Sequence, residues 1–481
     1  MTRSQRLTLA AAILGSAVAS IDATIVNVAL PAIERDLGGG LSGQQWVSNA
    51  YLLALGSLIL IGGSLGDIYG ERRVFATGVA LFGIFSVATA LAPSIEFLIA
   101  ARGLQGAAAA LLTPSSLAII VSAFHAKERG PAIGSWLAWG SVAGIVGPLA
   151  GGLIVDRLDW RWVFALNVPL VAATLVLIFA AVPRSAPQSD RKVDYAGALL
   201  CTLGLGGVVF ALIEQPHYGW GSATTLVPLA GGLVALAAFI AYERRTPQPM
   251  LRLELFRRRN FAIGNLETFT MYGGLAVLFF FLVIYLQQVA GFTALQSGLA
   301  TLPTTVIMFA LSRRFGMLAD RYGPRAFMGA GPLIAAGGIL LLLRIGMNVN
   351  YFTDLLPALC IFSVGLSMTV SPLTATVLAD ADETDAGIAS AVNNAVARIA
   401  GLLAVSFVGI FVAARLVGDS FAKNSESVSA FHELVMICAG LIAAGGIVGA
   451  IGITNPKREV RAERCSGGQL VATPEPAVTK A

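Results

Sequence analysis

Apolar runs of about 20 residues, separated by short charged or turn-rich joints, recur from one end of this chain to the other. They lie near residues 7–30, 45–66, 74–92, 97–122, 131–154, 163–183, 195–216, 224–243, 261–286, 296–315, 327–346, 355–379, 387–412 and 432–453. A helix of that length crosses a hydrocarbon core about 30 Å thick. The pattern therefore predicts an all-α polytopic membrane protein with fourteen transmembrane helices, and an even count puts both ends of the chain on one side.

Composition supports a bilayer protein. Of 481 residues, 56% are hydrophobic and only 12% charged, with a mean hydropathy of +0.78. That is more apolar surface than soluble cores of this size hide. The net charge of +5 raises the question of nucleic acid. The distribution of the cations answers it. With cytoplasmic termini, Arg35, Arg157, Arg161, Arg415 and Lys423 fall outside, Arg102, Arg344 and Arg398 fall within spans, and the remaining Lys and Arg lie inside. That is the positive-inside asymmetry that orients a membrane protein, so both termini are expected in the cytoplasm and no nucleic-acid partner is expected. The competing reading of the first run as a cleaved signal, on Arg3, Arg6 and Ala17-Val18-Ala19, would discard half of an apolar segment that continues through IVNVAL.

Soluble chemistry finds little support. Cys201, Cys360, Cys438 and Cys465 have no short spacing, and His432-Glu433 lacks the second His of a zinc helix. No Gly-Lys dipeptide occurs, which removes a Walker A loop. Neither a metal, a cofactor nor an enzymatic activity is expected.

One stretch occurs twice. GSLGDIYGERR at 63–73 returns as GMLADRYGPRA at 316–326, with Gly63, Leu65, Asp67, Tyr69, Gly70 and Arg72 matched by Gly316, Leu318, Asp320, Tyr322, Gly323 and Arg325. Both copies follow an apolar run at the cytoplasmic side, as parallel repeats of one bundle would place them. The second copy arrives eight spans later, two more than six-helix bundles require. The chain divides accordingly into a six-helix bundle at 1–183, an inserted hairpin and linker at 184–259, a second six-helix bundle at 260–454 and a cytoplasmic tail at 455–481.

These residues resemble the major facilitator superfamily, and within it the fourteen-helix drug:proton antiporters. The stretch at 63–73 is similar to the superfamily's Gly-x-Leu-x-Asp-x-x-Gly-x-x-Arg motif, with Ile68 and Glu71 where basic residues are usual. ARGLQG at 101–106 resembles its fourth-span Arg-x-x-Gln-Gly motif, and GSVAGIVGPLAGG at 140–152 its fifth-span exporter motif. SIDATIVNVALP at 20–31 and WRWVFALNVP at 160–169 look like stretches typical of the fourteen-helix branch. The resemblance implies proton-coupled export of lipophilic or cationic drugs by alternating access across a bacterial cytoplasmic membrane; a monomer is expected because the repeat already supplies both halves of the pathway. A dedicated metabolite exporter or an uptake symporter of the same fold is the nearest alternative, and a non-transporting receptor or scaffold a more remote one.

Ionisable residues inside spans default to function. Asp22 in span 1 and Arg102 in span 4 lie at similar depth, with Gln105 on the same face of span 4 as Arg102. Asp22, Arg102 and Glu267 are the candidate proton-coupling residues; a static ion pair, and for Glu267 a snorkelling acid, are the plainer readings. Asp22, Gln105, Trp136, Tyr272, Asn394 and Arg398 are expected to line the substrate cavity, with Trp46, Tyr51, Trp139 and Phe269 as further aromatic candidates. Glu214 and Arg344 read as interfacial. The repeated loops supply an expected conformational gate of Gly63, Asp67, Gly70, Arg72, Gly316, Asp320, Gly323 and Arg325. In it Gly63 and Gly316 permit close approach, and the resemblance pairs Asp67 with the start of span 13 near Gly387. In span 5, Gly144, Gly147, Pro148, Gly151 and Gly152 form an expected hinge, part of a side-chain-free stripe that begins at Gly140.

Overall fold

The computed structural model describes residues 1–183, 193–379, 386–418 and 420–455. Among them the regular structure is helical, and 14 helices are long and apolar enough to cross a membrane. The expected cytoplasmic tail lies almost wholly outside the described residues.

Helices α1 (Arg3–Leu37), α2 (Gly40–Tyr69), α3 (Glu71–Ala90), α4 (Ile95–Ala123) and α5 (Ala126–Arg157) make the first five crossings. The sixth is a short α6 (Arg161–Ala165) continued by α7 (Asn167–Ala181). α8 (Tyr195–Tyr218) and α9 (Ala223–Glu243) form an antiparallel hairpin. There follow α10 (Arg259–Gln288), α11 (Ala294–Tyr322), α12 (Pro324–Leu340), α13 (Leu356–Ala379), α14 (Ala386–Ala413) and α15 (Ser425–Gly452). Several helices outrun their apolar cores because polar caps extend them: Thr2 and Gln5 close a capping box on α1, Thr293 and Gln296 another on α11.

α1 to α7 pack on one another, as do α10 to α15. The hairpin lies against α2 and α14. Its end opposite the chain termini is held by Glu214, which accepts the Trp46 indole N–H at 2.8 Å, while Phe210 packs on the Trp46 ring. Glu214 therefore ties the inserted hairpin to α2, a task that its place at a span end did not reveal.

The repeated stretches fold alike. Gly70 closes α2 at φ 90° and Gly323 closes α11 at φ 91°, a region that side chains other than glycine's rarely enter. Two residues on, Arg72 donates to the Phe179 carbonyl at 3.1 Å and Arg325 to the Ala450 carbonyl at 2.6 Å. Each arginine thus sits on the carbonyl end of the last helix of its own bundle, where a cation is favoured.

Close approach between α2 and α4 depends on glycines. A Cβ on Gly106 would run into the Tyr51 backbone, and one on Gly62 into that of Ala110. The expected contact glycine, Gly63, has only the Pro114 side chain at 3.9 Å, so the intimate contact lies one residue earlier; Gly316 does face a near neighbour, Ser371. Gly106→Val should separate α2 from α4 and cost about 3 kcal/mol, visible as a lower melting temperature of the purified protein. Gly103→Val, whose added Cβ would meet only the Ala50 carbonyl at 3.9 Å, should melt close to the parent.

Candidate functional site

The centre of the first bundle is a buried polar cluster. Asp22 on α1 is 0% exposed and Arg102 on α4 1% exposed, and their side chains pair at 2.5 Å. The carboxylate is also an acceptor for Gln105 Nε2 at 3.0 Å and for Asn167 Nδ2 at 2.9 Å. Asn167 donates as well to Ser86 Oγ at 2.9 Å, and Ser86 donates to the Phe164 carbonyl at 2.9 Å. An ion pair taken out of water persists only when its remaining donors and acceptors are met. Here α3, α4 and α7 meet them. Asn167 was not singled out from sequence, although it stands inside WRWVFALNVP, because a polar residue near the start of a span reads as interfacial.

Arg102 faces outward from this cluster too. Its Nε donates to the Val47 carbonyl on α2 at 3.2 Å, and its guanidinium lies 4.3 Å from the Tyr51 ring. Tyr51 is buried with its hydroxyl unpartnered among the described residues. Arg398 of α14 is close enough to interact with Tyr51 electrostatically.

This geometry revises the cavity expectations. Asp22 and Gln105 are both 0% exposed and do not line open space; their mutual hydrogen bonds draw them into the bundle interior. Trp136 packs in a separate cluster with Ala12, Ile120, Phe124 and Ala132. Tyr272, by contrast, lines a small recess of about 70 Å³ between α10, α11 and α13, with Met271, Leu275, Met308 and Leu366. Asn394 is exposed and donates back to the Ser390 carbonyl. Its neighbour Asn393 turns the other way and binds Asn265 Oδ1 at 3.1 Å and Thr268 Oγ1 at 2.9 Å, fastening α14 to α10. A larger depression of about 390 Å³ beside Arg325, Gly329 and Asn455 lies on the flank between α12 and α15, away from the seam.

Glu267 is 0% exposed, which removes the snorkelling alternative. Both of its carboxyl oxygens lack hydrogen-bond partners among the described residues, and it faces Gly449 of α15, which also packs on the Met328 backbone of α12. It belongs to the second bundle's interior and does not join the Asp22 cluster.

The hydrogen bonds that cross between bundles gather at the end of the molecule opposite the termini. Gln45 donates to the Val405 carbonyl at 2.8 Å and Asn49 to Ser406 at 3.0 Å. Gln287 donates to the Val28 carbonyl at 3.0 Å. Asp156, at the end of α5, accepts the Ala294 and Leu295 amides at 2.9 and 3.0 Å. A carboxylate thus caps the start of a helix in the opposite bundle, the arrangement expected for Asp67 at the other end. Asp67 itself is half-buried, and residues 380–385, which precede α14, lie outside the described residues. Asp320 is exposed.

The span 5 glycines have divided roles. Gly147 and Gly151 press on Thr24 and Ile25 of α1, Gly152 presses on Leu295 of α11, and Pro148 meets Gly298. Gly140 and Gly144 face open space, so the stripe works only in its outer half.

With this arrangement in view, comparison with known proteins is informative. The Major Facilitator Superfamily profile matches residues 12–405. The chain belongs to the Major Facilitator Superfamily. The multidrug resistance protein Stp of Mycobacterium tuberculosis is 36% identical over 417 residues, covering 86% of this chain and 77% of Stp. The tetracenomycin C resistance and export protein of Streptomyces glaucescens is 33% identical over 423 residues, again covering 86% and 77%. Among solved structures, a D-xylose-proton symporter matches with a TM-score of 0.65 at 17% identity, covering 93% of this chain and 98% of that one. A bacterial homologue of the lysosomal transporter Spinster, in an inward-facing conformation, matches at 0.67 and 15%, covering 94% and 97%. The major facilitator fold, two six-helix bundles with an inserted two-helix hairpin, is the architecture of this chain.

Asp156→Ala should loosen the closed end, since a lost helix cap costs about 1 kcal/mol or more. In a background lacking the native cysteines, Val28→Cys should then react about tenfold faster with an impermeant maleimide added from that end. Unchanged labelling would mean that Asp156 contributes nothing to closure.

Proposed function

We propose that this transporter exports lipophilic or cationic drugs and related small molecules from the bacterial cytoplasm, driven by protons moving inward, with both termini cytoplasmic. The observation that carries the reading is the sealed Asp22–Arg102 pair and its connection to α2. Curated relatives bear resistance and export names, among them the puromycin resistance protein of Streptomyces alboniger, 36% identical over 395 residues. An uptake or receptor reading gains nothing from these relatives.

The route from proton to gate runs through named atoms. Asp22 holds the charge of Arg102, and Arg102 holds α2 through the Val47 carbonyl. Two residues to either side of Val47 stand Gln45 and Asn49, which bind α14 across the closed outer seam. Proton arrival at Asp22 neutralises the carboxylate and frees Arg102 from its strongest partner. The guanidinium then has Gln105, the Val47 carbonyl and Tyr51 left to hold it. Its pull on α2 changes, and with it the register of Gln45 and Asn49 against α14. The two bundles rock about this seam, and the outer contacts of Asp156, Gly152 and Gly298 open and reform with each cycle.

The driving force is sufficient. One proton crossing 100 mV releases about 2.3 kcal/mol, enough for a gradient of about fiftyfold in a neutral solute even before any pH difference. Glu267 is a second candidate proton holder in the other bundle, buried with no partner to hold its charge.

Purified protein in liposomes with an imposed pH gradient tests the reading. Asp22→Asn keeps the shape of the cluster and removes the proton, so gradient-driven ethidium transport should fall to background. Gln105→Glu, which adds a second acid beside Arg102, should shift the external pH at which transport is half-maximal. Wild-type transport in Asp22→Asn with unaltered pH dependence would make Asp22 a packing residue and move the proton site to Glu267.

A further inference from the structure

Arg102, Arg344 and Arg398 lie inside spans, and their surroundings differ. Arg102 is paired with Asp22, and Arg344 lies near the end of its span within electrostatic reach of Asp354. Arg398 stands near the middle of α14 (Ala386–Ala413), about 18 Å from the helix start at 1.5 Å per residue. Among the described residues it has neither a hydrogen bond nor an ion pair. It is partly exposed.

Arg398 also lies at the seam between the two bundles. Its Cβ lies against Gly56 of α2, across the seam, at the distance a Gly56 Cβ would find 3.5 Å. It is within electrostatic reach of Tyr51 in the first bundle and of Tyr272 in the second. Tyr272 in turn walls the apolar recess that Met271, Leu275, Met308 and Leu366 complete. An uncompensated cation at mid-membrane depth is costly, and its default meaning is a site whose counter-charge arrives with a ligand. The candidate acids of the pathway cannot serve. Asp22 is committed to Arg102 and Glu267 is enclosed between α10, α12 and α15.

We propose that Arg398 receives the acidic group of amphipathic monoanions, such as a carboxylate, sulfonate or phenolate, whose apolar body lies against Tyr272 and the apolar side chains at the mouth of that recess. The inference rests on the exporter reading and adds a substrate class to it. A guanidinium suits this task because its planar fork binds an oxyanion through two parallel N–H bonds, and Tyr272 adds an aromatic wall next to it. A neutral compound of the same skeleton finds the recess but not the charge. A cation finds the recess next to a like charge, so Arg398 also biases the cavity against it.

Two fluorescent probes separate these contributions: anilinonaphthalene sulfonate and phenylnaphthylamine share one skeleton and differ by the sulfonate. Uptake of each, with ethidium as the cationic reference, is measured in inside-out vesicles under an acid-inside gradient. The wild type should accumulate the sulfonate. Arg398→Gln should lower the ratio of sulfonate to phenylnaphthylamine uptake by about tenfold or more and raise the ratio of ethidium to phenylnaphthylamine. Arg398→Lys, which keeps the charge without the fork, should recover part of the sulfonate ratio. An equal loss of all three probes in Arg398→Gln, or an unchanged sulfonate ratio, overturns the proposal. Wild-type uptake of phenylnaphthylamine and ethidium without the sulfonate also overturns it and leaves the exporter reading standing. Absence of all three from wild-type vesicles overturns that reading as well.

Discussion

A carboxylate and a guanidinium enclosed in a bilayer impose the central constraint on this molecule. Neither can stay charged in hydrocarbon alone, and their pairing leaves lone pairs and N–H groups that must also be met. Meeting them fixes Gln105 on α4, Asn167 at the start of α7, Ser86 on α3 and the Val47 carbonyl on α2 around one point. Five of the seven helices of the first bundle are thereby registered against each other by polar contacts, in a solvent where apolar attraction between helices is weak. The break between α6 and α7 fits this need, since it lets Asn167 enter the cluster from a helix start.

The second constraint is proximity. Helices in lipid gain from close van der Waals contact, and this chain secures it with glycine where backbones meet: Gly62 and Gly106 between α2 and α4, Gly147 and Gly151 between α1 and α5, Gly298 between α11 and α5. Gly298, together with Gly152, lies on the closed seam between the bundles. Glycine thus serves both packing within a bundle and contact between bundles.

Much of this was readable in advance, for a physical reason. A bilayer demands long apolar runs, so fourteen helices were legible from hydrophobicity alone, and any acid or base within a run stood out. Asp22 and Arg102 could be matched in depth by counting residues. Rotation about a helix axis was harder. Asn393 and Asn394 are adjacent, and only packing decides that Asn393 turns to α10 while Asn394 faces outward. Glu267 looked able to reach the interface, yet its side chain turns toward Gly449, where the missing side chain leaves room. Asp156 was passed over because an acid at the end of an apolar run resembles an ordinary loop residue, and its partner amides lie 138 and 139 residues away.

The inserted hairpin has a consequence for how this protein meets lipid. Two paired bundles leave two vertical seams, one between α2 and α14 and one between α5 and α11. Here α8 leans on both α2 and α14, with Val209 and Ile213 packed on Leu402 and Leu53. Acyl chains are thereby kept from the first seam where α8 covers it, whereas among the described residues no further helix covers the second seam. The molecule is lopsided toward its solvent: a hydrophobic solute dissolved in the leaflet meets the hairpin on one flank and the uncovered contact of α5 with α11 on the other.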